Sequence, residues 1–185
     1  MRRPISITGV ASVVLGLVIV TAHATQIIYQ TPKQMGQESS LVVRGKVSGV
    51  RSFWNDTRTK VLTETTVSVE ETYKGFGDGV VRILQLGGVV DNVRVHVHGA
   101  PGWQHGEEVV LFLERINAES YRVSGLSQGK FKVERDPVTG EAFITRPVLD
   151  DAELVGAPSR EGAEKTSQAV KMPLDKFIDD ALGRR

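Results

Sequence analysis

Alternation of apolar and polar residues with a period of two dominates the chain, and this period is typical of half-buried β-strands. In LVVRGKVSGV, residues 41–50, it places Leu41, Val43 and Val47 on one face. The longest alternating segment, KVLTETTVSVEETYKG, spans residues 60–75. Its predicted core face consists of Val61, Thr65, Val67, Val69 and Tyr73.

Further short strands are indicated by VVRILQL at 80–86, ESYRVSGL at 119–126, GKFKVER at 129–135 and EAFITR at 141–146. The run VVLFL, from Val109 to Leu113, is apolar at every position, which predicts a central strand covered on both sides. Short strands at such regular spacing predict an all-β sandwich or barrel.

Two helices flank the predicted strands. Thr31, Pro32 and Gln34 have the spacing of a capping box with proline in the first turn, so we expect a short helix over residues 32–39 despite Gly36. The segment 147–171 is polar and small without a period, and predicts a linker. After it, residues 172–185 predict an amphipathic C-terminal helix with one apolar stripe, formed by Leu174, Phe177, Ile178 and Leu182.

The N-terminus has the pattern of a secretory signal peptide over residues 1–24. Two arginines precede an apolar run from Val10 to Val20, and Ala22-His23-Ala24 supplies small residues at the cleavage point. We therefore expect an exported protein, periplasmic or secreted, with a β domain over residues 25–146. No second apolar run of about 18 residues follows, so no membrane span is expected in the mature chain.

Charge and cysteine content narrow the function classes. The chain has 23 basic and 22 acidic residues, and loss of Arg2 and Arg3 with the signal removes the basic excess. Without a positive balance we expect no nucleic-acid partner. The absence of cysteine excludes disulfides, cysteine catalysis and thiolate metal sites.

Three of the four histidines lie within ten positions, in RVHVHGAPGWQH. A strand over residues 92–98 places His96 and His98 on one face, and His105 could return beside them after the turn. Three imidazoles suit zinc or copper. Arg94 shares the same face and opposes a cation, so a strand, a turn and a second strand with incidental histidines is the competing interpretation.

No catalytic constellation is evident, so we expect a non-enzymatic protein without a cofactor. Gly125-Leu126-Ser127-Gln128-Gly129 matches the G-x-S-x-G nucleophile elbow, but a strand follows it where a helix is needed, and no histidine lies beyond His105. The glycine-rich GFGDG, residues 75–79, also precedes a strand, which is typical of a turn rather than a phosphate site.

Trp54 and Trp103 fall in predicted turns. Aromatic side chains on loops are enriched at protein interfaces, where they bind at low entropic cost. A loop tryptophan can also fold back as a lid on its own barrel. The sequence leaves both alternatives open, a partner-binding surface and a lid.

The runs SSLVVRGKVSGV, VEETYKG, GAPGWQHGEEVVLFLE and YRVSGLSQGKFKV, within residues 39–135, resemble an uncharacterised family of exported bacterial β proteins. The order VVRGKV followed by YKG is also similar to the OB barrels of netrins and tissue metalloproteinase inhibitors. The resemblance implies an OB-like or small Greek-key barrel of five to eight short strands with flanking helices. Those inhibitors act through an N-terminal cysteine, so their mechanism does not carry over.

The sequence thus favours an exported β-barrel module that binds another exported protein through its loops, with an exported peptidase as one candidate partner. Trp54 and Trp103 are its candidate contact residues. The alternative function is metal binding through His96, His98 and His105, with zinc or copper as the ion.

Overall fold

The computed structural model describes residues 26–77, 79–145, 153–155 and 171–184. In chain order its elements are β1 (Gln26–Ile28), α1 (Pro32–Glu38), β2 (Leu41–Trp54), β3 (Val61–Lys74), β4 (Val80–Leu86), β5 (Gly88–Val90), β6 (Val93–Val95), β7 (Glu108–Arg115), β8 (Tyr121–Val123), a 3₁₀ turn (Leu126–Gly129), β9 (Lys130–Arg135), β10 (Ala142–Thr145), β11 (Glu153–Val155), β12 (Met172–Pro173) and α2 (Leu174–Leu182).

Five strands close into a barrel, in the order β7-β2-β3-β4-β8 with β8 pairing back to β7. Neighbours in this ring are antiparallel except β4 and β8, which are parallel. The sheet continues from β7 through β9 and β10 to β12, outside the ring. The predicted all-β, OB-like barrel with a short N-terminal helix and an amphipathic C-terminal helix is therefore confirmed.

Two apolar cores lie on opposite faces of the same strands, which explains why the run from Val109 to Leu113 is apolar at every position. The prediction of a strand covered on both sides is confirmed. The barrel core contains Leu41, Val43, Val47, Val67, Val81, Ile83, Val109, Leu111, Leu113, Tyr121 and Val123. The outer core, between the sheet and the helices, contains Met35, Val42, Val110, Phe112, Phe131, Val133, Ile144, Leu174, Phe177, Ile178 and Ala181.

Strand β3 changes face near its end. Its predicted core residues Val61, Thr65 and Val67 are buried. Tyr73, expected on the same face, instead packs against the outer core. The prediction for Tyr73 is wrong because the β2–β3 register shifts between Arg44 and Gly45, so that the alternation along β3 is reversed between Val69 and Tyr73. Each such bulge adds a residue to one strand and reverses the alternation that follows it.

The two helices pack together over the outer core. In α1 the predicted capping box is present, because Thr31 Oγ1 accepts from the Gln34 amide at 3.2 Å and Gln34 Oε1 accepts from the Thr31 amide at 2.9 Å. A methyl group on Gly36 would overlap the carbonyl oxygen of Ala181, so glycine allows α2 to approach closely. The buried face of α2 consists of Leu174, Phe177, Ile178 and Ala181, and Leu182 packs beside it.

Two predicted segments fall largely outside the described residues. The signal peptide, residues 1–24, is one of them, and most of the linker over residues 147–171 is the other. Within the latter, β11 pairs in parallel with β1. In the part of the chain that the structure describes, no helix combines the length and apolar character needed to cross a membrane.

Candidate functional site

An apolar pocket of about 300 Å³ lies where β4 and β8 separate. These strands share a single register pair, Ile83 with Tyr121. Beyond Ile83, β4 pairs with β3 on one edge, and no described strand pairs with its other edge. The pocket is lined by Leu62, Leu84, Gln85, Leu86, Val97, Ala100, Pro101, Ile116, Arg122, Val123 and Leu126.

Apolar side chains around the pocket are open to solvent. Leu86 is 50% exposed, Ile116 47% and Leu126 37%. The polar side chains of the lining are those of Gln85 and Arg122, and the Arg122 guanidinium pairs with Glu114 Oε2 at 2.6 Å. Apolar groups gathered at a concave surface mark binding sites, because water leaves such a surface readily. The pocket is therefore the strongest candidate binding site among the described residues.

Trp103 supports the loop that covers one side of the pocket. Its Nε1 donates to Gln85 Oε1 at 2.7 Å, and Gln85 Nε2 donates to the Pro101 carbonyl oxygen at 3.2 Å. The indole is half-buried and packs against the barrel core. These contacts hold the indole and the Pro101 backbone against the barrel.

Lys130 fixes the same loop from the opposite side. Its Nζ lies 2.6 Å from Glu107 Oε1 and 4.6 Å from the centre of the Trp103 ring, and it donates to the Gly102 carbonyl oxygen. Burial lowers the pKa of Lys130, while the hydrogen bond and the charge of Glu107 act in the opposite direction. These contacts hold the loop over residues 97–107 against the barrel.

Sequence reasoning missed Gln85 and Lys130. Both residues lie in strands, where the alternation predicts which face a side chain occupies but not which residue it contacts. Their contacts join segments that are far apart in the chain. The available signal was weak. Lys130 precedes Phe131 at the start of β9 and is 8% exposed, so a lysine occupies a position that the core would otherwise fill with an apolar side chain.

Trp54 belongs to a different contact. It ends β2, is half-buried, and its Nε1 donates to Asp91 Oδ2 at 3.1 Å. Asp91 and Asn92 have φ values of 48° and 65°, which two-residue hairpin turns of type I′ require, so they connect β5 to β6. The prediction that Trp54 lies in a turn is therefore wrong, and its bond joins the last residue of β2 to the β5–β6 turn.

The histidines do not form the predicted cluster of three. The strand expected over residues 92–98 ends at Val95, so His96 and His98 lie in the segment after β6. Their ring centres are 5.0 Å apart. His105 lies in a separate turn before β7. Among the described residues, no three His, Cys, Asp or Glu side chains are grouped so that they could hold a metal ion.

The G-x-S-x-G match forms a 3₁₀ turn with a structural role. The Ser127 amide donates to the Gly99 carbonyl oxygen at 2.9 Å, which connects this turn to the loop above the pocket. The fully buried Gln128 accepts from the Gln30 amide at 2.9 Å and donates to the Ile28 carbonyl oxygen at 2.9 Å. The motif therefore holds the N-terminal segment of the described chain.

Comparison with models of protein families finds no match for this chain. A comparison with curated proteins also finds no match.

Proposed function

We propose that this protein is a non-enzymatic β-barrel module that binds an extended segment of another exported protein, and that the pocket between β4 and β8 is the binding site. The observation that carries the proposal is an apolar pocket directly beside a strand edge without a described neighbour. An extended peptide can add to such an edge, where backbone hydrogen bonds supply affinity and a side-chain pocket supplies specificity.

A polypeptide suits the surface better than a small molecule does. The pocket volume of about 300 Å³ is at the lower end of the range for small-molecule sites. Exposed apolar side chains continue beyond it onto the β5–β6 hairpin, where Val89 is 51%, Val93 42% and Val95 38% exposed. A protein partner covers both regions, whereas a ligand of pocket size covers only the first.

The two tryptophans have different roles in this proposal. Trp103 positions the loop that forms one wall of the site, through Gln85 and Lys130. Trp54 remains a candidate contact residue beside the β5–β6 turn. The predicted export signal places the partner in the same compartment, and an exported peptidase remains one candidate for it.

Binding to defined peptides tests the proposal. The probe is a set of fluorescent eight-residue peptides, acetylated and amidated, in which Val, Ile, Leu and Thr alternate with polar residues. Anisotropy is measured with the wild type and with Ile116→Glu and Leu126→Glu, which add charge at the rim. Val138→Glu is the matched control, because Val138 is 91% exposed in the β9–β10 turn and does not line the pocket.

We expect some of the peptides to bind the wild type and the Val138 variant equally, and the two rim variants at least about tenfold more weakly, since burying an unpaired charge costs more than 1.4 kcal/mol. Equal binding to all four proteins places the peptide elsewhere and overturns the proposal. Binding of a small apolar dye at the pocket, with no binding of any peptide, also overturns it.

A second candidate function, metal binding, is favoured by the contact between His96 and His98. Two imidazoles supply half of a tetrahedral zinc or copper site. Calorimetric titration with zinc and with copper tests it. Saturable binding that is lost in His96→Ala and His98→Ala and retained in His105→Ala supports a site at this pair, and its absence in the wild type rules the site out.

A further inference from the structure

A second depression adjoins the pocket on the other side of the Ile83–Tyr121 pair. Its volume is about 460 Å³, and its lining includes Phe76, Val80, Arg82, Arg115 and Tyr121. Phe76 is 96% exposed and Val80 55%. This depression therefore combines exposed apolar side chains with two arginines, whereas the first pocket is almost entirely apolar.

The two arginines are without carboxylate partners in the described part of the chain. Arg115 donates to the Tyr121 hydroxyl at 2.5 Å and to the Ala118 carbonyl oxygen at 3.3 Å, and its guanidinium stacks on the Tyr121 ring at 4.8 Å. Arg82 is exposed and forms no ion pair with the described residues. Glu119 also lines the depression and forms no ion pair with either arginine.

Other arginines on the strands of this sheet are paired. Arg51 lies 3.0 Å from Glu64, Arg122 lies 2.6 Å from Glu114, and Arg135 lies 2.8 Å from Glu108. Arg82 and Arg115 thus bring an excess of positive charge to one concave place. Guanidinium groups bind carboxylates through two parallel hydrogen bonds, which makes arginine the preferred residue for recognising that group.

The pocket and the depression are lined by neighbouring residues of the same two segments. Arg82 is followed two positions later by Leu84 on β4, and Arg115 is followed by Ile116, so one residue of each couple lines the depression and the other lines the pocket. A strand advances about 3.3 Å per residue. An extended segment anchored by an apolar side chain in the pocket therefore reaches the arginines within a few residues.

We infer that the segment bound by this protein carries an acidic side chain, Asp or Glu, which Arg82 and Arg115 hold while a neighbouring apolar side chain fills the pocket. This inference rests on the proposed function and specifies the partner as an extended segment in which an acidic residue accompanies apolar ones. An internal side chain is the expected source of the carboxylate, because a segment lying across both depressions continues past the arginines.

The test uses the full mature chain, residues 25–185, and a blocked eight-residue peptide with alternating apolar residues and a single Glu, placed at each position in turn. Each peptide is compared with its Gln counterpart and with the Gln counterpart bearing a free C-terminal carboxylate. The protein variants are Arg82→Gln, Arg115→Gln and, as a control, Arg94→Gln, since Arg94 is an exposed arginine that lines neither depression.

We expect the best Glu peptide to bind about tenfold more tightly than its Gln counterpart, because a hydrogen bond between two charged groups is stronger than one from a guanidinium to a neutral amide. The difference should disappear in Arg82→Gln and persist in Arg94→Gln, and it should shrink as salt is added. Because Arg115 contacts Tyr121, loss of folding in Arg115→Gln leaves the Arg82 variant as the deciding one.

Two failures are distinguishable. If apolar peptides bind and the rim variants weaken them, but Glu and Gln peptides bind equally, the proposed function stands and this inference is overturned. Preference for the free C-terminal carboxylate over the Glu side chain also overturns it. If no peptide binds the wild type at all, the proposed function itself fails.

Discussion

Lys130 Nζ lies 2.6 Å from Glu107 Oε1 in an ion pair whose side chains are only 10% and 8% exposed. The pair joins the first residue of β9 to the end of the loop that covers the candidate site. Because Glu107 Oε1 also accepts from the Gln104 amide at 2.8 Å, the same carboxylate oxygen fixes the loop backbone. If either residue is replaced by a neutral one, the charge of the other is left unpaired at a position to which water has little access.

Lys130→Met is expected to lower the free energy of unfolding by about 3 kcal/mol, because it leaves the Glu107 carboxylate buried and unpaired. The double variant Lys130→Met with Glu107→Gln should recover part of that loss, since no charge is then buried. Urea unfolding of the wild type, both single variants and the double variant measures the coupling between the two side chains.

The matched control removes an exposed pair. Arg51 lies 3.0 Å from Glu64, but its side chain is 70% exposed, so Arg51→Met should cost less than about 1 kcal/mol. Two outcomes contradict a buried pair that stabilises the loop. One is an equal loss of unfolding free energy for Arg51→Met and Lys130→Met. The other is that the losses of the two single variants, Lys130→Met and Glu107→Gln, simply add in the double variant.

The two tryptophans should differ in their contributions to stability. Trp103 packs against the barrel core and lies over Lys130, so Trp103→Ala is expected to cost about 3 kcal/mol. Trp54 donates one hydrogen bond to Asp91, and Trp54→Ala is expected to cost about 1 kcal/mol. Urea unfolding checks both values. A larger loss for Trp54 than for Trp103 contradicts the assignment of Trp103 as the supporting residue of the loop.

Local patterns predicted most of the fold. The alternation in β3, the continuous apolar run in β7, the capping box of α1 and the apolar stripe of α2 each depend on neighbouring residues only, so they can be read from the sequence. Tyr73 shows where this reading fails. Nothing in the residue types marks the β2–β3 register shifts, because a bulge depends on how two strands pair.

The candidate site was hidden for a related reason. Its lining comes from β3, β4, the loop before β7 and the β7–β8 region, and it exists because β4 and β8 meet at one residue pair. The gap between β4 and β8 depends on how the barrel closes, and this cannot be predicted from any single segment of the sequence. The tryptophans were found from their residue type, but their hydrogen-bond partners, Gln85 and Asp91, could not be found in that way.

Asp136 makes the stability of the β9–β10 turn dependent on pH. Hydrogen bonds from the backbone amides of Thr139 and Val138, at 3.0 and 2.9 Å, lower the pKa of its carboxyl group. A carboxyl whose pKa is lower in the folded chain stabilises the fold above its unfolded pKa, and this contribution is lost as the pH falls through the folded pKa.

Asp136→Asn should therefore reduce stability at neutral pH, and the difference from the wild type should vanish once the pH falls below the lowered pKa. Unfolding curves of both proteins over a series of pH values measure this. The carboxyl carbon shift of Asp136, followed by NMR, reports the pKa directly. A difference between the two proteins that is constant over the whole acid range contradicts the role given to these hydrogen bonds.

Gly36 tests how closely the two helices must approach. In an isolated helix, alanine is about 1 kcal/mol more favourable than glycine, so intrinsic propensity alone predicts that Gly36→Ala stabilises the protein. In the folded chain the added methyl group would overlap the Ala181 carbonyl oxygen, a backbone atom that moves only with α2. We therefore expect a net loss of about 2 kcal/mol in the free energy of unfolding, as for other overpacked cores.

Gly102→Ala is the control, because nothing lies within 4 Å of the added carbon there, and it should change stability by less than about 0.5 kcal/mol. Stabilisation by Gly36→Ala in urea unfolding, with α1 still helical by circular dichroism, would show that α2 can move away at little cost and that the outer core is less tightly packed than its burial indicates.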